Sequence, residues 1–498
     1  MTETVLSIDV GTTGCKVIAF DFKGAEVAKA YNEYPTYIDE HGKSELDAEI
    51  VWEKVSESVR KVCGADIRVS AVSVSSLGEA AVLLDSEGNV LGNSILYNDS
   101  RGAEEMGEIA EPKMREAISN TTGQPVSHLH TLWKLLWIRK HQPEVYAKIK
   151  KITFFADFIV FRLCKAHMTD YSLAARSMMF DIHDQCWSRE ITALTGLDPD
   201  VLPRAVLAGT LAGEVSEEMA RELHIDQGAK VVIGGHDQPC GTLGAACFAP
   251  GQIVNAGGTI ECITTVVEEL GIARRLMENG YSVEPHVVQG KYVIMGVSVT
   301  GGSLLKWFRR TFLPDDKAFF KPYAGPYDYM NAHIDRKPGK LLLLPYFSGT
   351  GTPDYDSGAC GAVYGLRLST TKEEIYKACM EGLCFELKKN LEIMRQCGME
   401  FHTACTIGGG SYSRCWSQIK ADIWGIPVHT IEKNEAVATG LAALSAAALG
   451  WYGSPEQAAG QFVCFKDCYQ ADEVYRKAQD QKFRSFLELS DHVKQIGR

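Results

Sequence analysis

The 498-residue chain has no C-x-x-C pair among its 15 cysteines; the nearest neighbours are Cys464/Cys468 and Cys379/Cys384. Neither a zinc centre built on paired cysteines nor a disulfide framework is expected, and free thiols in a reducing compartment are. A basic excess is missing too: 51 Lys and Arg stand against 63 Asp and Glu, a formal charge of −12. A general nucleic-acid binder would carry the opposite balance. No apolar run reaches the ~20 residues that span a bilayer. The least polar stretch, 436–451, is short, rich in small residues and broken by Thr439 and Ser445. The opening Met-Thr-Glu-Thr-Val has no basic n-region, so no signal peptide is expected. There is no G-x-x-x-x-G-K-[ST] phosphate loop and no G-x-S-x-G nucleophile elbow. What is present is ordinary globular composition, 45% apolar and 23% charged. The length suits two to four domains at ~100–200 residues each. We expect a cytoplasmic protein with small-molecule partners, no nucleic acid and no membrane; a homodimer is left open.

Along the chain, short apolar runs end repeatedly in glycine. Val5–Asp9 runs into a Gly-Thr-Thr turn, followed by Lys16–Phe20 and a turn over Asp21–Gly24, the signal of a β-meander. Residues 48–62 carry Val51, Val55, Val59 and Val62 at helical spacing, and Val69–Val74 is a β-branched run of the buried parallel type. Val82–Leu84 and Val90-Leu91 read as a hairpin around Asp85–Gly88. Further strand-to-glycine transitions occur at 230–235, 251–259, 291–296 and 405–410, with helices expected at 303–310, 372–394, 415–424 and 436–449. Alternating strands and helices predict α/β architecture. The best breakpoint is Ala249-Pro-Gly251, dividing the chain into residues 1–247 and 248–498.

Four clusters carry candidate chemistry. Asp9-Val-Gly-Thr-Thr-Gly-Cys-Lys16 offers turn amides and the hydroxyls of Thr12 and Thr13 to a phosphate, with Gly11 at the bend, Lys16 as counter-charge and Asp9 as a candidate Mg²⁺ ligand. Its bland reading is an ordinary hairpin turn. Gly257-Gly258-Thr259 is a similar turn in the second half. Gly234-Gly-His-Asp237-Gln238 puts an acid just beyond a strand's carboxyl end, where ligands bind in open α/β sheets. Asp237 there either accepts a proton from a substrate hydroxyl or caps the helix that follows. Gly408-Gly409-Gly410, before a helix containing Arg414, lets a flat ring approach the backbone.

Taken in order, these motifs resemble the FGGY family of carbohydrate kinases. Gly408-Gly-Gly, Gln418, Ala421-Asp422 and Pro427-Val428 are similar to that family's C-terminal signature. Asp9-x-Gly-Thr-Thr-x-x-Lys16 and Gly258-Thr259 are similar to its two phosphate motifs, and Gly-x-Asp237-Gln to its base motif. Tyr97-Asn-Asp-Ser-Arg101 is similar to the Trp-Asn-Asp-x-Arg stretch of xylulokinases. The resemblance implies two actin-like (ribonuclease-H-like) domains flanking a cleft, with sugar on the N-terminal side and ATP on the C-terminal side. It implies ATP and Mg²⁺, with Asp237 as general base and Gly11, Thr12, Thr13, Lys16, Gly258 and Thr259 on the phosphates. Gly409, Gly410 and Arg414 would lie near adenine, and Glu79, Asp99 and Gln238 near sugar.

At Ser75-Ser-Leu-Gly78-Glu79-Ala the chain departs from its relatives. Xylulokinases carry Met-His and glycerol kinases Arg-Glu where Gly78-Glu79 stand. Glu79 is expected to accept sugar hydroxyls, and Gly78 to leave extra room, favouring a pentose or hexose over glycerol. A neutral ketose or polyol is expected, a xylulose-like sugar first and L-fuculose or another sugar or polyol as the alternative. The bland reading of Glu79 is an ion pair with Arg101. An actin-type or heat-shock-ATPase-type protein without a sugar substrate is the competing class; Asp237-Gln238 and the 408–428 signature speak against it.

Overall fold

The computed structural model describes residues 2–40, 42–64, 67–109 and 111–496. The chain forms two compact units: residues 1–248, 282–293 and 435–463 make the first, and 249–281, 294–434 and 464–498 the second. The first unit therefore takes in two stretches from beyond residue 248.

In the first unit, strands β1 (Thr2–Val10), β2 (Gly14–Asp21) and β3 (Glu26–Glu33) form the meander read from the sequence. Helix α1 (Ala48–Val62) follows, its N-terminus capped by Asp47, whose carboxylate accepts from the amides of Glu49 and Ile50. Its Val51, Val55, Val59 and Val62 are buried, which is the face that the spacing predicts. With β4 (Ile67–Ser76), β5 (Leu211–Glu214) and β6 (Lys230–His236), the sheet runs β5-β6-β4-β1-β2-β3. The central strands β6, β4 and β1 are parallel, with His236 beside Ser76 and Asp9 beside Ser75. Three parallel strands thus end side by side.

One face of this sheet is covered by α2 (Asp237–Gly244) and α3 (Ala436–Ala448). Val5, Ile18, Phe20, Ala71 and Val232 pack there against Leu441, Leu444, Ala458 and Phe462. The two helices touch backbone to backbone. A Cβ on Gly244 would lie 1.7 Å from the carbonyl oxygen of Ala436, and one on Gly440 2.0 Å from that of Cys240.

The expected hairpin over 82–91 is a single bridge, Leu84 to Val90. Ala81–Leu84 instead pairs antiparallel with Lys151–Phe154, which satisfies its backbone with a partner some 70 residues away.

The second unit repeats the plan. β7 (Gln252–Gly257) and β8 (Glu261–Val267) form an antiparallel pair. β7 also pairs in parallel with β9 (Thr403–Gly408), and β9 with β10 (Val428–Ile431); β11 (Phe465–Tyr469) closes that edge antiparallel. Helices occupy Gly302–Phe312, Lys372–Gln396 and Arg414–Trp424, close to the expected limits. All 15 cysteines are free thiols. Among the described residues no helix is long and apolar enough to cross a membrane.

Candidate active site

In the first unit, the ends of β1, β4 and β6 bring Asp9, Glu79 and Asp237 to one edge. The turn after β1 is held from outside: Tyr34 Oη donates to the carbonyls of Gly11 (2.6 Å) and Gly14 (3.0 Å), and Thr36 Oγ1 to that of Thr12 (2.9 Å). Its carbonyls are thereby occupied; Thr12 is half-buried and Thr13 exposed. Asp9 accepts at Oδ1 from Ser75 Oγ at 2.9 Å. Burial, and then the nearby charge of Asp237, push the Asp9 carboxyl up to about 6. Lys16 Nζ lies 2.5 Å from Glu435 Oε2, immediately before α3, so its charge is already partnered inside the unit.

Glu79 is buried and has the left-handed backbone φ of 61°. Its carboxylate pairs with Arg176, whose Nη1 also donates to Gln124 Oε1 (2.9 Å) and Ser282 Oγ (3.1 Å). Burial opposes ionisation of Glu79, but Arg176, with His236 and His130, brings its carboxyl below the usual range. Two readings of this stretch are corrected, the ion-pair partner of Glu79 and the room at Gly78. The partner of Glu79 is Arg176, not Arg101. Gly78 leaves no spare room, because a Cβ there would lie 3.0 Å from Arg176 Cγ and 3.2 Å from His236 Nε2. The missing side chain is replaced by a guanidinium arriving from helix Tyr171–Arg176.

Asp99 is fully buried. It accepts from Arg101 Nε (2.9 Å), Arg101 Nη2 (2.6 Å) and the amides of Arg101 (2.8 Å) and Ser44 (2.7 Å). Both oxygens are thus engaged by protein, and Asp99 holds its loop rather than presenting a carboxylate to a sugar. Its neighbour Tyr97 is 41% exposed and lies within electrostatic reach of Glu79 and Asp237, which, after burial, raise its phenol above the ordinary value. Asp237 opens α2 and Gln238 follows it, both half-buried at the edge. Asp237 Oδ1 lies 3.1 Å from His236 Nε2. Burial raises the Asp237 carboxyl, and His236 opposes that rise.

In the second unit, Gly257, Gly258, Thr259, Gly409 and Gly410 line one cleft of about 600 Å³ with Lys306, Tyr327, Tyr376, Tyr412, Ser413 and Trp416. Gly258 and Thr259 are fixed by the following helix: their carbonyls accept from the amides of Gly302 (2.9 Å) and Ser303 (3.1 Å). Gly408 has φ 80°, and a Cβ there would lie 2.4 Å from the Gly257 carbonyl, so glycine is required for β9 to meet β7. Asn434 clamps the loop, accepting from the Gly408 amide (3.0 Å) and donating to the Gly408 carbonyl (2.9 Å) and Ser411 Oγ (2.7 Å). Beneath lies a fully buried pair, Lys420 to Glu261 at 3.0 Å, with Lys420 also donating to Asn255 Oδ1 and standing 4.3 Å from the Trp416 ring centre. Arg414 is the first residue of its helix, exposed and outside the cleft; Tyr412, Ser413 and Trp416 occupy the wall expected of it.

Arg176, Asn434 and Tyr327 carry no sequence signal as site residues, since each sits in an unremarkable local pattern and reaches its site through the fold, whereas Tyr97 opens the motif read at 97–101.

Two family sequence models match the chain: the N-terminal domain of the FGGY family of carbohydrate kinases over residues 4–244, and its C-terminal domain over 254–449. The chain is 30% identical to the xylulose kinase of Bacillus subtilis, over 98% of this chain and 96% of that protein. Among solved structures, a ligand-bound xylulose kinase and a gluconate kinase, both from Lactobacillus acidophilus, superpose with TM-scores of 0.90 at 23% identity, covering 99% of this chain and 98% of each. The two-domain, actin-like α/β fold expected from the motifs is thus the fold observed. The chain belongs to the FGGY family of carbohydrate kinases and is a phosphotransferase that phosphorylates a sugar hydroxyl.

Proposed function

We propose that the protein transfers the γ-phosphoryl group of ATP to a hydroxyl of a neutral ketose, with a xylulose-like pentulose as the leading substrate and Asp237 as general base. The observation that carries this reading is the row of strand ends: a base candidate, a buried Glu79–Arg176 pair and a phosphate-type turn on three adjacent strands. Glu79, held by Arg176, has acceptor capacity for sugar hydroxyls, and a substrate without a matching hydroxyl would forgo those charge-assisted hydrogen bonds. A sugar acid would bring a second carboxylate against Glu79, which disfavours gluconate-type substrates. The similarity to xylulose kinases supports the pentulose.

In the reaction the substrate hydroxyl gives its proton to Asp237, and its oxygen attacks the γ-phosphorus in line. The new O–P bond forms as the β,γ-bridging P–O bond breaks and ADP leaves. Catalysis is positioning and electrostatics. Thr12 and Thr13 are the phosphate-side residues of the first unit, beside a Lys16 that Glu435 already pairs; Gly258 and Thr259 are those of the second, whose glycine-floored cleft takes the nucleoside.

The site is compatible with Mg²⁺. Burial, and after it the charge of Asp237, raises the Asp9 carboxyl, and a divalent ion would offset the repulsion between the two carboxylates. Among the described residues no cluster of three or more ligating side chains exists. That suits Mg²⁺, usually held by one or two carboxylates together with substrate phosphates. When bound by Asp9, it would offset charge on the phosphates.

The test is ADP release over a panel of xylulose, fuculose and other ketuloses, polyols and gluconate. Xylulose or another neutral ketose should give the highest kcat/KM; a sugar acid in first place overturns the substrate reading. Asp237→Asn should lower kcat by about 10²–10⁴-fold with ATP affinity little changed. Near-wild-type kcat in that variant removes Asp237 from its role.

A further inference from the structure

A buried acid outside every sequence motif stands behind the candidate base. Glu284 lies on the short strand Ser282–Pro285 and is fully buried. Its Oε1 is 3.0 Å from His236 Nδ1, and the opposite nitrogen of the same ring, Nε2, is 3.1 Å from Asp237 Oδ1. The other Glu284 oxygen lies 3.9 Å from Arg176 Nε. The ring is held in place on both sides. The His236 amide donates to Ser172 Oγ at 2.9 Å, and the bare face of Gly78 leaves the space that Nε2 fills.

A neutral imidazole has one N–H and one lone pair. Placed between two carboxylate oxygens, it would point that lone pair at one of them. The doubly protonated ring donates to Glu284 from Nδ1 and sets positive charge 3.1 Å from Asp237 at Nε2. We propose that Glu284 and His236 are positioning residues for Asp237: the Glu284 carboxylate keeps His236 as an imidazolium, and its ion pair through Nε2 holds Asp237 Oδ1, directing Oδ2 to the sugar hydroxyl. This rests on the reading of Asp237 as the base.

The charges that face the ring are consistent with it. Glu284 comes from its strand, Asp237 from α2, Arg176 from helix Tyr171–Arg176, and Glu79 from the loop after β4; Asp170 lies behind Ser172. Burial alone would discharge the ring, yet Glu284 and Asp237 push its pKa up to about 9. With Glu284, Asp237 and Glu79 negative and His236 and Arg176 positive, the buried set carries one net negative charge. The proton from the sugar hydroxyl would neutralise it. His236 keeps both of its protons throughout.

The experiment is nitrogen-15 NMR of histidine-labelled full-length protein at pH 7.5, with His236 assigned by its loss in His236→Asn. An imidazolium signature is expected in the wild type and in Asp237→Asn, and a neutral ring in Glu284→Gln. Steady-state kinetics of Glu284→Gln should show kcat lowered by about 10–100-fold, as for a misplaced catalytic group, with both KM values within about 3-fold. A neutral His236 in the wild type, or wild-type kcat in Glu284→Gln, overturns the inference. Should Glu284→Gln not fold, the wild-type spectrum decides. Asp237→Asn separates the two readings: if it stays active, the base assignment fails; if it is inactive while Glu284→Gln is fully active, only the positioning role fails.

Discussion

A methyl group at position 78 would press on the two side chains that meet the candidate sugar-side acid and base. Gly78→Ala sets its Cβ 3.0 Å from Arg176 Cγ and 3.2 Å from His236 Nε2, so one of them must shift. We expect a raised sugar KM and a lowered kcat with ATP KM unchanged; equal kinetics would show that the guanidinium and the ring adapt freely. Glu79→Gln should raise the sugar KM while leaving the ATP KM nearly constant, and unchanged sugar kinetics would make the Glu79–Arg176 pair purely architectural. His236 supplies a pH test with a defined sign. Its ring titrates near 9 in the fold, against about 6.5 in an unfolded chain. The stability it contributes is complete below pH 6.5 and is lost as pH rises through 9. In thermal melts, the deficit of His236→Asn relative to wild type should narrow from pH 6.5 to 9.5; a constant deficit contradicts the charged ring. At this scale the sequence shows some positions and hides others. Asp9, Thr12, Asp237 and Gly409 are legible because each adjoins a strand end marked by glycine. Arg176 and Glu284 are not, because nothing local distinguishes them and their partners lie about 50 to 100 residues away. Asp99 misleads in the other direction: it sits in a motif, but its charge is spent on Arg101, two residues along.

The contact between α2 and α3 is a backbone-to-backbone joint made at Gly244 and Gly440. Gly440→Ala would put a methyl 2.0 Å from the Cys240 carbonyl, backbone against backbone, where no rotamer relieves the clash. Overpacking typically costs ~1–3 kcal/mol, and a rigid backbone contact belongs at or above the top of that range. Urea unfolding should show at least ~3 kcal/mol lost, and a loss under 1 kcal/mol would mean that the helices slide apart easily. Elements themselves are well marked in this sequence, since β-branched runs closed by glycine and four-residue apolar spacing have few other readings. Pairing is less so. Residues 81–84 look like half of a local hairpin because turn residues follow them, yet their partner strand begins at Lys151. Periodicity identifies a strand but not the strand beside it.

On the scale of the whole molecule, the first unit is not a continuous stretch of sequence. Residues 1–247 expressed alone would keep α2 but leave Val5, Ile18, Phe20, Ala71 and Val232 without Leu441, Leu444, Ala458 and Phe462, which complete their cover. We expect that fragment to bind a hydrophobic dye strongly and to melt without cooperativity; a sharp thermal transition would show that its remaining core suffices. The same threading bears on how the protein is made. A ribosome adds ~5–20 residues per second, so the stretch from Phe248 to Val463 takes roughly 10–40 s to emerge. Throughout that interval the first-made sheet has α2 but not α3 on one apolar face, and the second unit has most of its chain before the first is finished. The unit begun first is thus finished only after most of the second has been made, which leaves the nascent chain dependent on whatever shields that face in the meantime.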